Sequence, residues 1–578
     1  MKYISKILVL AAAGVVITSC KKDFLTYQPQ GVVTQAEVST SANIDKLVIA
    51  AYAGIANDEM IGPITSMWVY GSVRADDAYK GGGGTGDVDI IDKYEKYYLT
   101  TADQGGNDWM APRTWTNFYK AISRANLGLV AANAVTDAKE SQAELRFLRG
   151  HSYFMLKRIF NKVPFIDETM TQEQILQTSN DLTNDALWNK IADDFKFAMD
   201  NLPEKQTQIG RANKNAAAAY LAKVRLYQAY EQDANHNVTT INPAHLQEVV
   251  DLTGTVMGKY SLQPDYGENY LDGYDNGVES IFAVQFSLSD GTDAGRASYV
   301  TGLNSPHGTP LYGCCGFHLA SQNMVNAFKT DAKGLPMFDS FNNTDMKEPA
   351  DFQSNGVDPR LDHTVGVPGH PFKYRISDKV PNDMIYQSSW ARDPGDYGVF
   401  GNMKEQQAPD CACYFKKGPF MGTTKNIDFI RYADVLLMRA EALIQLNRQA
   451  EALPLINQVR ARAKASTGRT KNADGSSPSN YRISEYVDGT NINWTKENAW
   501  KALMFERRLE FGMEGPRYFD LVRWGIAAET LNAYLIIEKT KRPFLALAVF
   551  TKGRDEYFPI PQREITFTKG LYKQNPGY

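Results

Sequence analysis

Cysteine is scarce in this chain, with five residues in 578, and histidine nearly so, with seven. There is no HExxH and no GxSxG, which removes the common zinc-protease and serine-hydrolase signatures. Basic runs are missing too. With a formal charge of −4 and a pI near 6.1, no stripe of lysine and arginine marks a nucleic-acid surface. Past the first twenty residues no apolar run approaches the eighteen that suggest a bilayer span. Gly81, Gly83 and Gly86 satisfy GxGxxG, but polar residues precede them and no βαβ pattern surrounds them. Gly418…Lys425 lacks the GK[ST] order of a phosphate loop. No cofactor is expected, and the many acids offer no separation from which a glycosidase pair could be argued.

Apolar residues at 43% and charged residues at 22% are those of an ordinary globular chain, long enough for a large core and roughly two to four domains. Aromatics are plentiful, at 11% with 31 Tyr and 8 Trp, as a thick core or exposed stacking surfaces would require. Lys2 and Lys6 followed by apolar Ile7–Ile17 read as a signal peptide, and Ile17-Thr18-Ser19-Cys20 is similar to a lipobox. The expectation is cleavage before Cys20, a lipid on that cysteine that anchors the chain without a transmembrane helix, and a tether over 20–40. Losing residues 1–19 removes two lysines and no acid, taking the charge from −4 to −6.

Arg431–Lys464 organises the rest. It predicts two helices joined at Asn447–Arg448, with Leu436, Ala440 and Leu443 facing Ala452, Ile456 and Val459. Small residues at 440 and 452 allow close approach, as in a tetratricopeptide pair, and one such pair needs stacked neighbours. The apolar period predicts them at 45–56, 116–134, 141–160, 183–202, 213–231 and 243–257, with a Ser141–Glu144 capping box opening the third. Residues 494–524 return to helix. The fold class is mainly α: four tetratricopeptide-like pairs as scaffold, over 41–260 and 428–578, plus a loop-rich lobe with short helices and strands at about 261–427. That lobe is dense in Gly, Pro, Asn and Asp. It has one weak strand at Glu279–Phe286 and one short helix at Ser321–Lys329.

Several motifs in fixed order resemble the SusD/RagB-type outer-membrane lipoproteins. They include Trp115…Tyr119-Lys120-Ala121-Ile122, Glu144–Phe160 followed by Val163-Pro164, and Gly210-Arg211-Ala212. They continue with Glu279-Ser280-Ile281-Phe282, Ile430–Leu437 with Arg439–Ala442, Glu506–Phe511, Arg517–Leu521 with Arg523-Trp524, and a Phe558-Pro559-Ile560-Pro561…Gln574–Tyr578 ending. The resemblance implies a single unit over 41–578 and a surface lipoprotein that binds glycan and is not an enzyme. It also implies a partner, a TonB-dependent (SusC-like) outer-membrane transporter. Arg431, Asp434, Glu441, Glu506, Arg507 and Asp520 read as buried ion-pair and capping residues, because buried charges require partners. The alternative function is a tetratricopeptide interaction scaffold that binds peptide or no ligand.

Glycan contacts carry no fixed motif in this family, so candidates come from residue chemistry. Sugar capture needs a flat apolar face together with groups for hydroxyls. The candidates are Trp68, Asp76, Asp77 and Tyr79 before the glycine run; Trp109; Tyr312 with Cys314 and Cys315; and Trp390, Arg392 and Tyr397. Cys314 and Cys315 could close a vicinal disulfide as a rigid platform, bridge separately to Cys411 and Cys413, or stay free. Their CC and CxC spacings argue against zinc. Asp233-x-Asn235-x-Asn237 lacks the glycine and distal glutamate of a calcium loop. The glycan is left open among a fructan, which is slightly preferred, an α-glucan and a host glycan.

Overall fold

The computed structural model describes residues 40–56, 67–104, 110–288, 297–299, 302–374 and 384–578. Cys20, the leader, the tether and Trp109 lie outside them. The main helices pack in succession: α1 (Ser41–Ile55), α2 (Asp89–Lys96), α3 (Ala111–Asn133), α4 (Lys139–Phe160), α5 (Asn184–Asn201), α6 (Lys214–Ala229), α7 (Pro243–Val256), α8 (Tyr432–Gln445), α9 (Gln449–Ala465) and α10 (Lys496–Phe511). The shorter α11 (Pro516–Arg523) and α12 (Ala527–Glu538) follow. Apart from α2, each helix lies against the next, α3 on α4, α5 on α6, α7 on α8 and α9 on α10. This is the stacking that four paired repeats require. Leu436, Ala440, Leu443, Ala452, Ile456 and Val459 are all buried where α8 meets α9. Asn447 makes the turn with φ of 61°, a conformation that asparagine tolerates better than most residues.

Local chemistry explains the helix ends. Thr183 caps α5 by accepting from Ala186 N at 3.2 Å, and Asn213 caps α6 by accepting from Ala216 N at 2.9 Å. The alanine run of α6 is buried, so backbones can come close. The expected capping box at Ser141 does not form. α4 begins two residues earlier, at Lys139, without a side-chain cap, because its buried face already extends to Ala138. Glu231 leaves the helix for β2 (Tyr230–Gln232), which pairs with β3 (Val238–Ile241). The Asp233–Asn237 stretch is the tip of that hairpin. Asp233 accepts there from Asn235 N and from Asn237 N and Nδ2, so its carboxylate is taken up within the turn.

The lobe joins the scaffold through short antiparallel pairs. β1 (Ala78–Gly81) meets β5 (Phe317–Ala320), and β4 (Ser280–Val284) meets β8 (Ile427–Arg431). β6 (Tyr414–Lys417) and β7 (Phe420–Thr423) make a hairpin. Beneath them the six charged motif residues are all ion-paired. Arg431 reaches Glu279, Glu510 and Glu514. Arg360 and Arg460 hold Glu506 at 2.6 and 3.0 Å. Asp434 takes Lys223 and Arg507, Asp520 takes Arg507 and Arg523, and Arg523 binds Glu441. Burial alone would push the Glu510 and Asp434 carboxyls up, but the surrounding guanidinium and ammonium groups hold both well below the usual carboxylate range.

Candidate functional site

Three of the four sequence clusters come together at the β1–β5 pair. β1 ends at Gly81, opposite Phe317, just after the Cys314–Cys315 disulfide. Gly82 N donates to Gly316 O at 2.9 Å. A Cβ on Gly81 would sit 2.4 Å from that same oxygen, and Gly81 and Gly82 have φ of 77° and 80°. Only glycine lets the backbones approach in this way. Lys80, itself buried, donates to Gly84 O at 2.8 Å and to Asp87 O, which shapes the glycine loop. Arg392 arrives from the cluster of Trp390 and Tyr397. Its Nη1 donates to Asp87 Oδ2 at 2.7 Å, and its guanidinium covers Gly83, where a Cβ would lie 2.9 Å from Cζ.

Burial divides the candidates. The rings of Trp68, Tyr79, Tyr312, Trp390 and Tyr397 are between 0 and 8% exposed, which corrects the expectation that they offer faces to a sugar. Trp68 packs on His318 at 5.2 Å. Tyr312, Trp390, Tyr386 and Phe372 form one edge-to-face cluster under the loops, and the Tyr312 hydroxyl donates to Gln407 O at 2.9 Å. Tyr79 donates to Glu538, and burial pushes its phenol far above the usual range. Tyr397 lies 4.8 Å from Phe544.

Asp76 and Asp77 are not free for ligand either. Arg517 grips both oxygens of Asp76 at 2.8 and 2.9 Å, and Arg508 donates to Asp77 at 3.0 Å. Burial opposes ionisation of Asp76, yet Arg508 and Arg517 keep its carboxyl well below the usual range. These acids fasten β1 to α10 and α11.

The outer face of the convergence comprises Gly83 to Asp87, Arg392, and half-buried Cys314 and His307. Sequence reasoning misses Asp87 and His307, although Ser305–Pro310 (SPHGTP) carries the Gly and Pro that mark a loop. The second disulfide joins Cys411 to Cys413. Of the alternatives for Cys314 and Cys315, the vicinal bridge is therefore the one adopted. A separate cavity of ≈ 190 Å³ lies between scaffold and lobe, lined by Phe154, Tyr220, Phe429, Arg431 and Asp428 among others. Burial pushes the Asp428 carboxyl up to about 6.

A stack of paired helices carrying a loop-built, ring-supported surface defines a helical-scaffold protein with a loop-rich lobe. Residues 278–578 match the SusD family, and residues 23–226 match a family described as starch-binding and associating with the outer membrane. The chain belongs to the SusD family. It is 20% identical over 562 residues to SusD-like protein P2 of Formosa agariphila, covering 96% of each. A SusD homolog of Bacteroides thetaiotaomicron superposes with a TM-score of 0.70 at 20% identity, over 94% of this chain and 99% of that one. Surface glycan-binding protein A of the same species, solved in complex with laminarihexaose, gives 0.62 at 19% identity over 93% and 99%. Likenesses at this identity establish the shared fold.

Proposed function

We propose that this chain is a lipid-anchored outer-membrane protein that captures an oligo- or polysaccharide at the cell surface. It then delivers the glycan to a partner TonB-dependent transporter. The observation that carries the reading is the convergence of the glycine loop, the vicinal disulfide and Arg392 on one exposed face, in a chain whose family includes starch-binding members. The Arg392–Asp87 pair is 37% and 29% exposed, so it is worth about 0–1 kcal/mol in water. Sugar hydroxyls can therefore exchange with it at little cost, accepting from the guanidinium and donating to the carboxylate. Gly83, Gly84 and Gly86 add no side chain that would hold a polymer off, and Thr85 adds only a short one. Cys314 offers the apolar contact among the named residues of this face, which suits a shallow platform more than a deep slot.

Native gels cast with starch, laminarin and a fructan test this reading, with titration calorimetry on whichever glycan retards the protein. Arg392→Ala is expected to weaken binding roughly tenfold, the worth of one charge-assisted hydrogen bond, with the melting temperature unchanged. Retardation by none of the three would remove glycan capture. An unaltered affinity in the variant would move the site elsewhere. The burial of the five candidate rings among the described residues favours a second reading, a scaffold that assembles with the transporter and binds no sugar; it predicts co-purification with the barrel and silent gels. Both readings are non-catalytic, and sugar released from any of these polymers would contradict them.

A further inference from the structure

Two adjoining cavities open on the helical scaffold and share Asn184, Gln232 and Tyr557 in their walls. The inner one, ≈ 40 Å³, is lined by three cations, Lys157, Arg158 and Arg523, and by no carboxylate. At about 10–15 Å³ for each water-sized occupant, it has room for about three heavy atoms. The outer one, ≈ 250 Å³, is walled by Asn161, Lys162, Asn184, His236 and Asn575, with Asp233 at its edge already engaged by its own turn.

The three cations are not equally provided for. Arg523 is held by Glu441 and Asp520. Lys157 is 2% exposed, and its ammonium meets only Asn161 Oδ1 at 3.3 Å and the Trp188 ring at 4.9 Å. Arg158 lies between the rings of Phe154 and Phe519, 4.5 and 4.4 Å from their centres, with Met155 Sδ as a hydrogen-bond partner. Neither has a carboxylate within ion-pair distance among the described residues. The C-terminal end of α4 compensates part of this charge, by about 0.3–1 kcal/mol for each cation. An unmatched buried charge costs several. Burial lowers the Lys157 ammonium to about 7.

We propose that the paired cavities form a binding site for a small organic carboxylate. Its carboxyl group lies against Lys157 and Arg158 in the inner chamber, and its body lies in the outer one. The amides of the outer wall suit a hydroxylated body, so a sugar acid is the occupant the walls fit best, with a peptide C-terminus as the other source of the same group. The site lies on α4, α5, β2, α11 and the C-terminal segment, apart from the loop face, and stands or falls independently of it.

Thermal melts and titration calorimetry of the full chain with D-glucuronate, triglycine and neutral D-glucose decide the matter. Glucuronate is expected to raise the melting temperature while glucose does not, and Lys157→Met to weaken glucuronate about tenfold or more. Stabilisation by triglycine as well assigns recognition to the carboxyl group alone; stabilisation by triglycine only assigns the source to peptide ends. Arg158→Gln provides the same comparison should the Lys157 variant not fold. Stabilisation by glucose equal to that by glucuronate, or by none of the three, overturns the proposal. Arg392→Ala is expected to leave glucuronate binding unchanged.

Discussion

Glu510 offers the sharpest test of how the scaffold is held together. Its carboxylate accepts from Arg431, Arg462 and Arg360, the last at 3.2 Å, and it is fully buried. Glu510→Gln keeps the shape and removes the charge. Glu279 and Glu506 remain to serve the same arginines, with Glu279 at 2.7 and 2.8 Å from Arg431 and Arg462, but one cation is left in deficit. Breaking a buried pair on one side costs about 3–5 kcal/mol. The unfolding entropy, about 2.1 cal/mol/K per residue, comes to about 1.2 kcal/mol/K over 578 residues, so the expected fall in melting temperature is about 2.5–4 °C. Asp200→Asn is the control, since its pair with Lys196 is 50–59% exposed and worth about 0.5 kcal/mol or less. Calorimetric melts at neutral pH read both. The sign of the pH dependence follows from the direction in which the Glu510 carboxyl is displaced. It is depressed in the folded state, so its contribution is complete above the unfolded value near 4.5 and is lost as pH falls below it. The wild-type and Glu510→Gln curves should therefore converge in acid. A variant that melts with wild type at neutral pH would refute the claim that these motif charges are structural.

Asp428 works in the opposite direction. Burial raises its carboxyl from 3.8 to about 6, so ionising it costs stability as pH climbs through that window. Asp428→Asn should melt about 2–3 °C higher than wild type near pH 8 and level with it near pH 4, since each tenfold change in proton affinity is worth about 1.4 kcal/mol and the unfolding entropy is about 1.2 kcal/mol/K; equal melts at both would count against it. Gly71 lies where a Cβ would come 1.9 Å from Gly515 O. Gly71→Ala should cost about 1–3 kcal/mol or more, read as a lowered melting temperature or loss of soluble protein; an unchanged melt would show that the two loops can part freely.

The helices are legible because a periodic apolar stripe states which way each side chain faces. Leu436, Ala440 and Leu443 can be placed from spacing alone. The end of α6 is not legible, because Tyr230 and Glu231 continue the helical pattern while hairpin pairing with Ile241 and Thr240 takes them out of it. Loop aromatics carry no such stripe. Nothing in Tyr312-Gly313 or Ser389-Trp390 tells that these two rings meet Phe372 and Tyr386 under the surface. Asp76 and Asp77 resemble ligand groups only because their partners lie more than four hundred positions further on. Arg392 is what its loop composition suggests, an exposed cation. The unmatched pair Lys157 and Arg158 escapes notice in the sequence because a helix C-terminus is an ordinary place for positive charge.

The clasp of Asp76 and Asp77 by Arg517 and Arg508 has a bearing on how the molecule can be divided. The two family matches, 23–226 and 278–578, invite separation into halves, yet this clasp and the β1–β5 pairing cross that line. Severed, the first fragment would keep two acids in a greasy socket and the second two guanidinium groups facing empty space. The border between the matches is a line in the sequence that these contacts span in the folded protein.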